Sequence, residues 1–475
     1  MKPTTHDNGA KTSDDQTTVS SSSLSAKYDA KESPWKSLWI SIGLQYMIGI
    51  QISIYFMSMW PYLSALDRTA TVDFFGWVVA ACSLGCSITN PLFGMWNQKT
   101  MDMKTPIVVG MVTIIVGQSI YAFLPLLDSN QKWVMMLARL ITGLGTGSIS
   151  VLRAYAATAS LPRDRLRVVS LGTAGMVLGL SSGPAIQRSL WFFFPSSAPL
   201  SSSPYSRKTM LGIIKQDHKE GDSYVVLPNF DLLPALICIY LWIITSMNEI
   251  NIAVISTPWA SAMYNWKDSD AVLYNGIFQT LSCLVSAGNS VIIGCTPVGN
   301  IEKRKQIIFG EIMFLLFHIV AYPWPFYDGP LTYIPVGKNS SEVGGCLSSY
   351  DWCDTTVRVP LPLFVICMVF VFGIAFPFAG SPSGALFSEI LGPRKQGTMQ
   401  GFYSFGGSVA QFVTPIFTTY LFQHSGYKHI MISQIVTIGF ALILLIVFYN
   451  RLVPLKLKRK PGKATKYKRG VVYIL

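Results

Sequence analysis

The stretch that decides the fold is residues 162–184, PRDRLRVVSLGTAGMVLGLSSGP, because its pattern returns at residues 393–415, PRKQGTMQGFYSFGGSVAQFVTP. In both stretches a Pro-Arg pair closes one apolar segment, and a proline interrupts the segment that follows. The arginine precedes that proline by 21 positions in both. The repeat therefore predicts a helical bundle built from two related halves.

The composition is typical of a membrane protein. Charged residues make up 13% of the 475 residues and hydrophobic residues 50%, with a mean hydropathy of +0.40, whereas soluble domains carry roughly 25% charged residues. A helix needs about 20 apolar residues to cross a bilayer. Such stretches lie near residues 37–62, 72–95, 105–127, 133–158, 168–190, 231–262, 271–296, 306–325, 360–388, 398–422 and 428–450. We therefore predict an all-α polytopic membrane protein with about 11 recognisable spans, and a soluble multidomain enzyme is excluded.

The charge distribution indicates that both ends of the chain are cytosolic. The net charge is +13, but the positive residues collect in short loops between spans and in a basic tail. Positive charge marks the cytosolic side of membrane proteins, so we expect the lipid bilayer, and no nucleic acid, as a partner. The predicted organisation is a disordered cytosolic tail (1–34), a first helical half with spans 1–5 (35–190), a polar linker (191–230), a second half with spans 7–12 (231–452) and a basic cytosolic tail (453–475).

The sixth span is degenerate or missing. The repeat places the counterpart of the span 428–450 near residues 197–219, which read SAPLSSSPYSRKTMLGIIKQDHK. Buried charge and unpaired backbone groups are too costly in lipid for this stretch to cross unaided. Three interpretations stay open. The chain is an aberrant splice or gene-model product, or the fifth or seventh span is divided differently around a short re-entrant piece, or the chain is a genuine eleven-span variant.

The polar loop 326–359 has two features of a lumenal or extracellular segment. It contains the pair Cys346 and Cys353 and the glycosylation sequon that begins at Asn339. A disulfide and an N-linked glycan both form on the side of the membrane away from the cytosol. We therefore expect a Cys346–Cys353 disulfide, a glycan on Asn339 and a lumenal loop.

The fourth span combines a buried cation with closely spaced glycines. Arg139 is followed by Gly143, Gly145 and Gly147. Glycines at a spacing of two cannot share one helix face, so they thin the helix on several sides and let neighbouring helices approach. An unpaired guanidinium is costly in lipid, so we expect Arg139 either to face the bundle interior or to snorkel to the interface.

The fifth span carries a stripe of glycines. Gly175, Gly179 and Gly183 are four positions apart, which places them on one helix face for tight packing. Pro184 follows and is expected to kink the helix near its far end. The alternative interpretation is helix packing with no role in a transport cycle.

These two motifs in consecutive spans resemble the fourth and fifth helices of the major facilitator superfamily. The loop after the second span, GMWNQK at residues 94–99, resembles a degraded form of the superfamily's gating motif. Gly94 is retained, but the acidic residue is absent, so the usual charge-relay role is in doubt. The resemblance implies a major facilitator fold with two pseudo-symmetric halves.

The chain also resembles one branch of the superfamily, the group of major facilitator superfamily domain-containing protein 8, or ceroid-lipofuscinosis neuronal protein 7. The likeness covers roughly 35–187 and 231–455 and fails across 188–230. The matching segments are MWPYL (59–63), GWV (76–78), SLG (83–85), PLFG (91–94), AR (138–139), VLRAY (151–155), AVLYNG (271–276) and ILGP (390–393). The resemblance implies a multi-pass protein of the lysosomal or late endosomal membrane, with chloride conductance as the activity proposed for the family. The plasma membrane is the alternative location.

Polar side chains inside the apolar spans are the candidates for transport and coupling. Glu249 lies near the middle of the span 231–262, where burial suits a carboxyl to bind and release protons; the alternative is a structural hydrogen bond or ion pair, with Arg139 as one conceivable partner. Arg153 is a candidate for binding an anion or a lipid phosphate, although snorkelling fits equally well. His318 is a candidate titrating group, against the simpler role of a packed residue. Candidate cavity-lining amides, which otherwise join helices through hydrogen bonds, are Gln45, Gln51, Asn275, Gln279 and Gln411.

These observations predict a transporter that moves a small solute or anion by alternating access, with protons as a candidate coupling ion. The two halves are expected to rock about a central site. The rival hypotheses are a chloride-permeable channel on the same scaffold and a scaffold or receptor that transports nothing. No metal-ligand spacing, phosphate loop or nucleophile pattern is present, so we expect no enzyme activity, no cofactor and no metal. The oligomeric state is not predicted.

Overall fold

A computed structural model gives the structure of residues 33–66, 72–100, 102–127, 129–161, 163–193, 230–327, 329–335, 343–346, 350–392 and 396–455. The stretch 197–219, where the repeat places the sixth span, lies outside the described residues, and so does the predicted glycan acceptor Asn339.

The five predicted spans of the first half are helical. The helices are α1 (Trp35–Leu66), α2 (Val72–Thr100), α3 (Lys104–Ala122), α4 (Gln131–Thr146), α5 (Ile149–Ala159) and α6 (Arg165–Phe193). The fourth span consists of two helices, α4 and α5, which meet at the end of its glycine run. Helix α3 begins where Asp102 accepts the backbone N–H of Lys104 at 2.9 Å. A hydrogen bond from the Thr105 hydroxyl lowers the pKa of Asp102.

The second half supplies six further helical spans. The helices that form them are α7 (Leu232–Tyr264), α8 (Asp268–Cys295), α9 (Lys303–Val320), α10 (Leu361–Ile366), α11 (Phe372–Leu391), α12 (Gly397–His424) and α13 (Tyr427–Val447). A π-helical turn, Cys367–Val371, joins α10 to α11, so these two form one span. Asp231 caps α7 by accepting the backbone N–H of Leu233 at 3.2 Å.

The same helix pairs recur in both halves. In the first half α1 packs on α6, and both α2 and α3 pack on α4. In the second half α7 packs on α12, and both α8 and α9 pack on α11. The halves meet along two seams, α2 against α12 and α6 against α8, and matching each helix of one half to its counterpart in the other exchanges these two pairs. The predicted all-α fold with two pseudo-symmetric halves is confirmed.

Membrane-crossing capacity is clear for part of the bundle. Among the described residues, seven helical segments are long and apolar enough to cross a bilayer by composition alone. They are Gly76–Thr100, Lys104–Ala122, Gln131–Ala159, Leu232–Tyr264, Ser269–Cys295, Leu361–Leu391 and Tyr427–Val447. The remaining predicted spans are also helical, but the prediction of about 11 spans stays a prediction.

The loop between α9 and α10 covers one end of the second half. Cys346 and Cys353 are joined by a disulfide bond in the structure. Trp352, inside the closed ring, packs its indole against Phe422 on α12, with ring centres 5.2 Å apart. The loop is therefore held to the helix ends by a covalent link and by aromatic packing.

Candidate functional site

The arginine of the fifth helix connects the two halves. Arg153, on α5, places its guanidinium carbon 4.4 Å from the ring centre of Trp242 on α7. Its Nη1 also donates to the Ser404 hydroxyl on α12 at 3.4 Å, at the long end of the hydrogen-bond range. A cation over an indole face is attracted by the ring quadrupole. Arg153 thus belongs to the first half by sequence and contacts the second half through both of its partners.

Aromatic packing fixes the residues of the second half that Arg153 contacts. Trp242 stacks on Tyr403 with ring centres 5.3 Å apart. The Tyr403 hydroxyl is hydrogen-bonded to Ser383 on α11 at 3.3 Å, and its ring lies 4.8 Å from that of Phe387. Helices α7, α11 and α12 therefore fix the wall against which Arg153 rests.

Glu249 faces the same region from α7. It lies seven residues after Trp242, which is two helical turns on the same face. Its side chain is half-buried, and its charge interacts with Arg153 on α5 and with Cys283 on α8. On the same helix the Ser246 hydroxyl is buried and has no hydrogen-bond partner among the described residues. The candidate site thus combines the Arg153 guanidinium and the Glu249 carboxyl, which are of opposite charge, with the buried Ser246 hydroxyl on the same helix as Glu249.

Arg139 occupies a different place. It is buried on α4, at 8% exposure, and its charge interacts with Cys82 and Cys86 on α2. Cys86 in turn lies 2.8 Å from the hydroxyl of Thr146. In the described part of the chain, the arginine whose charge interacts with Glu249 is Arg153 rather than Arg139.

Some of the candidate amide side chains join neighbouring helices, and others lie near the candidate site. Asn275 donates to the Ser256 carbonyl at 3.0 Å and so ties α8 to α7. Gln279 lies 3.6 Å from the sulfur of Cys283, beside Glu249. Gln45 rests against Gly172 where α1 and α6 meet. Gln51 and Gln411 are half-buried on α1 and α12.

His318 lies inside the second half. Its Nε2 is 2.6 Å from Asn248 Oδ1 and its Nδ1 is 3.3 Å from the sulfur of Met431. The side chain is fully buried among α7, α9 and α13. It therefore belongs to a separate polar cluster from that of Arg153.

The predicted packing glycines contact several neighbours. A methyl group on Gly143 would overlap the Cys82 carbonyl of α2, and one on Gly145 would meet the Gly110 carbonyl of α3. Gly147 lies against Thr89 in the same way. The three glycines thus allow α2 and α3 to pack closely against different sides of α4 and of the turn that follows it.

The glycine stripe of the fifth span packs against α1. Gly175 lies against Ile42, and Gly179 against the Tyr46 carbonyl. Gly183 and Pro184 lie outside the residues whose side chains the structure describes.

One end of each half meets the other through the degraded gating motif, residues 94–99, which the structure places in the last turns of α2 and not in a loop. A methyl group on Gly94 would overlap the Gly397 carbonyl at the start of α12. The Gln98 side chain accepts the backbone N–H of Thr398 at 2.8 Å. Deeper in the seam Asn90 donates to the Ser408 hydroxyl at 2.8 Å. An amide oxygen therefore meets the amino end of α12, where an acidic side chain is missing from the motif.

Trp242, Tyr403 and Ser404 were not among the residues selected from the sequence. One signal was available, since Trp242 and Glu249 are seven positions apart and must share a face of α7. Tyr403 and Ser404 lie in the glycine-rich stretch 397–407, where the pattern indicates close packing and nothing more.

Comparisons with known proteins agree with this architecture. The family model described as Major Facilitator Superfamily matches residues 42–337 and 343–472. The chain is 25% identical to the major facilitator superfamily domain-containing protein 8 of Xenopus laevis over 479 residues, which cover 88% of this chain and 92% of the relative. The solved structure of the human organic anion transporter MFSD10 (TETRAN) is similar with a TM-score of 0.57 and 13% identity, over 87% of this chain and 99% of that one. At this identity the structural likeness concerns the fold alone.

Proposed function

Because the chain belongs to the major facilitator superfamily, we propose that it moves a small organic anion across a membrane by alternating access around Arg153. The observation that carries the proposal is the placement of this guanidinium between the halves, over Trp242 and within reach of Ser404. A group held by both halves is where a bound solute would influence their rocking.

The residues around Arg153 suit an anion with an organic body. A guanidinium presents a planar fork of donors that matches a carboxylate. Trp242, half-buried and stacked on Tyr403, supplies apolar ring surface beside it, and the Ser246 hydroxyl, which has no partner among the described residues, is a further donor on the same helix. The structural relative MFSD10 is described as an organic anion transporter, which is compatible with this substrate class.

Alternating access is supported by the closed cytosolic end. Gly94 contacts Gly397 in one seam. In the other, Leu166 on α6, Ile293 on α8 and Ala385 on α11 form a small buried cluster. A bundle closed at one end by contacts between its halves fits a carrier that opens by rocking, and does not need a continuous pore.

Glu249 is proposed as the coupling group. Its carboxylate is attracted to the Arg153 guanidinium, so an anion that binds at Arg153 competes with that carboxylate. A proton on Glu249 removes that competition, and proton and anion then bind together. This arrangement predicts uptake that increases with the proton concentration on the loading side.

The proposed location is the lysosomal or late endosomal membrane. The proposal rests on the resemblance to major facilitator superfamily domain-containing protein 8 and is compatible with a disulfide-bonded loop on the lumenal side.

The test uses purified full-length protein in liposomes and a matched pair of arginine variants. Arg153→Lys keeps the charge but loses the planar fork, and Arg167→Lys makes the same change at an arginine that lies 4.7 Å over Trp35 inside the first half. Saturable uptake of labelled mono- and dicarboxylates is expected to fall at least about tenfold in Arg153→Lys, the cost of one charge-assisted bond. Arg167→Lys should stay near wild type.

Chloride-sensitive dye in the same liposomes separates the rivals. Chloride flux that follows its gradient, with no saturable organic-anion uptake, would favour the channel. Equal behaviour of wild type and Arg153→Lys for every anion would remove Arg153 from the mechanism.

A further inference from the structure

A second set of buried polar groups lies inside the second half, within the bundle of α7, α9 and α13. Glu311 and His318 on α9 are fully buried, and so are Asn248 and Asn251 on α7. Gln434 on α13 is 2% exposed. Glu311 and His318 are seven residues apart on one face of α9, about 10 Å along its axis. Polar groups buried in a core of aromatic and aliphatic side chains are normally hydrogen-bonded, so any that are not require an explanation.

The His318 end of this set is hydrogen-bonded, and its contact with Asn248 identifies Nε2 as a donor. Asn248 donates through Nδ2 to the Ile244 carbonyl at 3.0 Å, so its Oδ1 must accept. His318 Nε2 therefore carries the hydrogen in the 2.6 Å contact with that oxygen. His318 Nδ1 faces the Met431 sulfur, which cannot donate.

The Glu311 end is not satisfied. Both carboxyl oxygens of Glu311 are buried without a hydrogen-bond partner among the described residues, as are Gln434 Oε1 and both side-chain polar atoms of Asn251. An ionised carboxylate without a partner is strongly unfavourable in such a place. A neutral carboxylic acid is far less costly and supplies the one donor that a free amide oxygen accepts.

Among the residues that the structure describes, no cationic side chain is paired with the Glu311 carboxyl. Tyr240 on α7 interacts with it electrostatically. Glu389 on α11 is paired with Lys303 at 3.0 Å at the cytosolic end. On α13, Lys428 and His429 are exposed near its start. In the described part of the chain no group of three His, Cys, Asp or Glu side chains could hold a metal ion.

We propose that Glu311 is a proton-binding site inside the second half, separate from the site at Arg153 and Glu249. Loading is simple protonation, in which a proton joins a carboxylate oxygen and no other bond changes. The closed packing seen here retains the proton, and exchange requires α9 to separate from α7 or α13. The proposal goes beyond the anion-transport hypothesis, and its test requires no transported solute.

The experiment is infrared spectroscopy of the purified protein in lipid at neutral pH. A buried protonated carboxyl gives a C=O stretching band distinct from that of a carboxylate. We expect the band to lose the intensity of one carboxyl per chain in Glu311→Gln, whose amide has nearly the shape of the neutral acid. Glu311→Leu, which is also neutral, should lose the same intensity and covers the case in which Glu311→Gln does not fold.

The matched control is Glu389→Gln, which removes an ion-paired carboxylate of the same half and should leave the band unchanged. Glu249→Gln assigns any contribution from the central site. A band that survives both Glu311 variants would overturn the proposal. So would a band that disappears when choline is replaced by sodium at fixed pH, because the site would then hold a metal cation. Failure of the anion-uptake test at Arg153 would leave these outcomes unaffected.

Discussion

The two halves share one architecture but are packed by different means. In the first half, helix backbones touch at glycines, as where Gly143 meets the Cys82 carbonyl and Gly179 meets the Tyr46 carbonyl. Its buried apolar residues form separate small clusters. The core of the second half is one continuous cluster that runs from Ala235 to Leu452. Related helix patterns can therefore be stabilised by close backbone approach or by side-chain interlocking.

The difference also indicates where each half tolerates change. A glycine contact has no side chain that can move aside, so an added methyl group must push two backbones apart. An aromatic core loses many contacts when one ring is removed, but its neighbours partly relax. The second half also has a glycine contact, at Gly310 against Ala379 on α11. The halves therefore differ in how much each depends on the two kinds of packing, and substitutions in each half can test this.

The largest effect is expected in the aromatic core. Trp259 is 2% exposed, with ring centres 4.2 Å from Phe364 and 5.1 Å from Tyr427. Trp259→Ala should destabilise the protein by about 3–5 kcal/mol, the range for removing a large buried ring. Thermal unfolding in detergent measures it. Trp39→Ala, at a tryptophan of the first half that is 54% exposed, should cost far less. Equal losses would contradict the comparison.

The next effect tests the glycine contacts of the first half. Gly143→Val places a branched side chain against the α2 backbone and should cost about 1–3 kcal/mol or more, because overpacking there cannot relax. The control is Gly276→Ala on α8, where nothing lies within 4 Å of an added methyl group; a better helix former at that position should be neutral or mildly stabilising. The measurement is the midpoint of thermal unfolding. A tolerated Gly143→Val would show that α2 and α4 are not tightly packed.

A smaller effect is expected where the halves meet. Gln98→Ala removes the bond to the Thr398 backbone, at a net cost of about 1 kcal/mol, and should favour conformations in which the halves separate at this end by about fivefold. Spin labels on the exposed Lys99 and Lys305 should report a larger population of long distances. The matched control is Gln131→Ala, whose side chain bonds only to the nearby Leu127 carbonyl in the structure described. An unchanged distance distribution would argue against Gln98 as a closing contact.

The smallest effect concerns corresponding helix starts in the two halves. Helix α3 is preceded by Asp102, which accepts the backbone N–H of Lys104, whereas α9 is preceded by Glu302, which accepts from Tyr449 and pairs with Arg304. Asp102→Ala should cost about 1 kcal/mol near neutral pH, as the loss of a capping carboxylate does. A lowered pKa means that the carboxylate stabilises the fold above its ordinary pKa, about 3.9. The difference from wild type should therefore shrink as the pH falls through the folded pKa of Asp102, as unfolding scans at several pH values would reveal.

Local sequence signals predicted the helices well but could not assign the two buried arginines. Arg139 and Arg153 both lie in the fourth apolar stretch, 133–158, and the sequence offered Arg139 as the conceivable partner of Glu249. In the structure the charge of Arg139 interacts with Cys82 and Cys86, while Arg153 lies over Trp242 and interacts with Glu249. Helical periodicity tells which residues share a face, but not which helix that face will meet.

The sequence by itself determined the membrane helices, the doubling of the bundle and the mid-span position of Glu249, because length, hydropathy and spacing are properties of consecutive residues. Only the tertiary structure decided that Arg153, Trp242 and Tyr403 would lie together and that Glu311 would be buried with no hydrogen-bond partner in the part of the chain that is described. Those arrangements depend on contacts between helices far apart in the chain. Packing of whole helices sets such contacts, and no short stretch of residues encodes them.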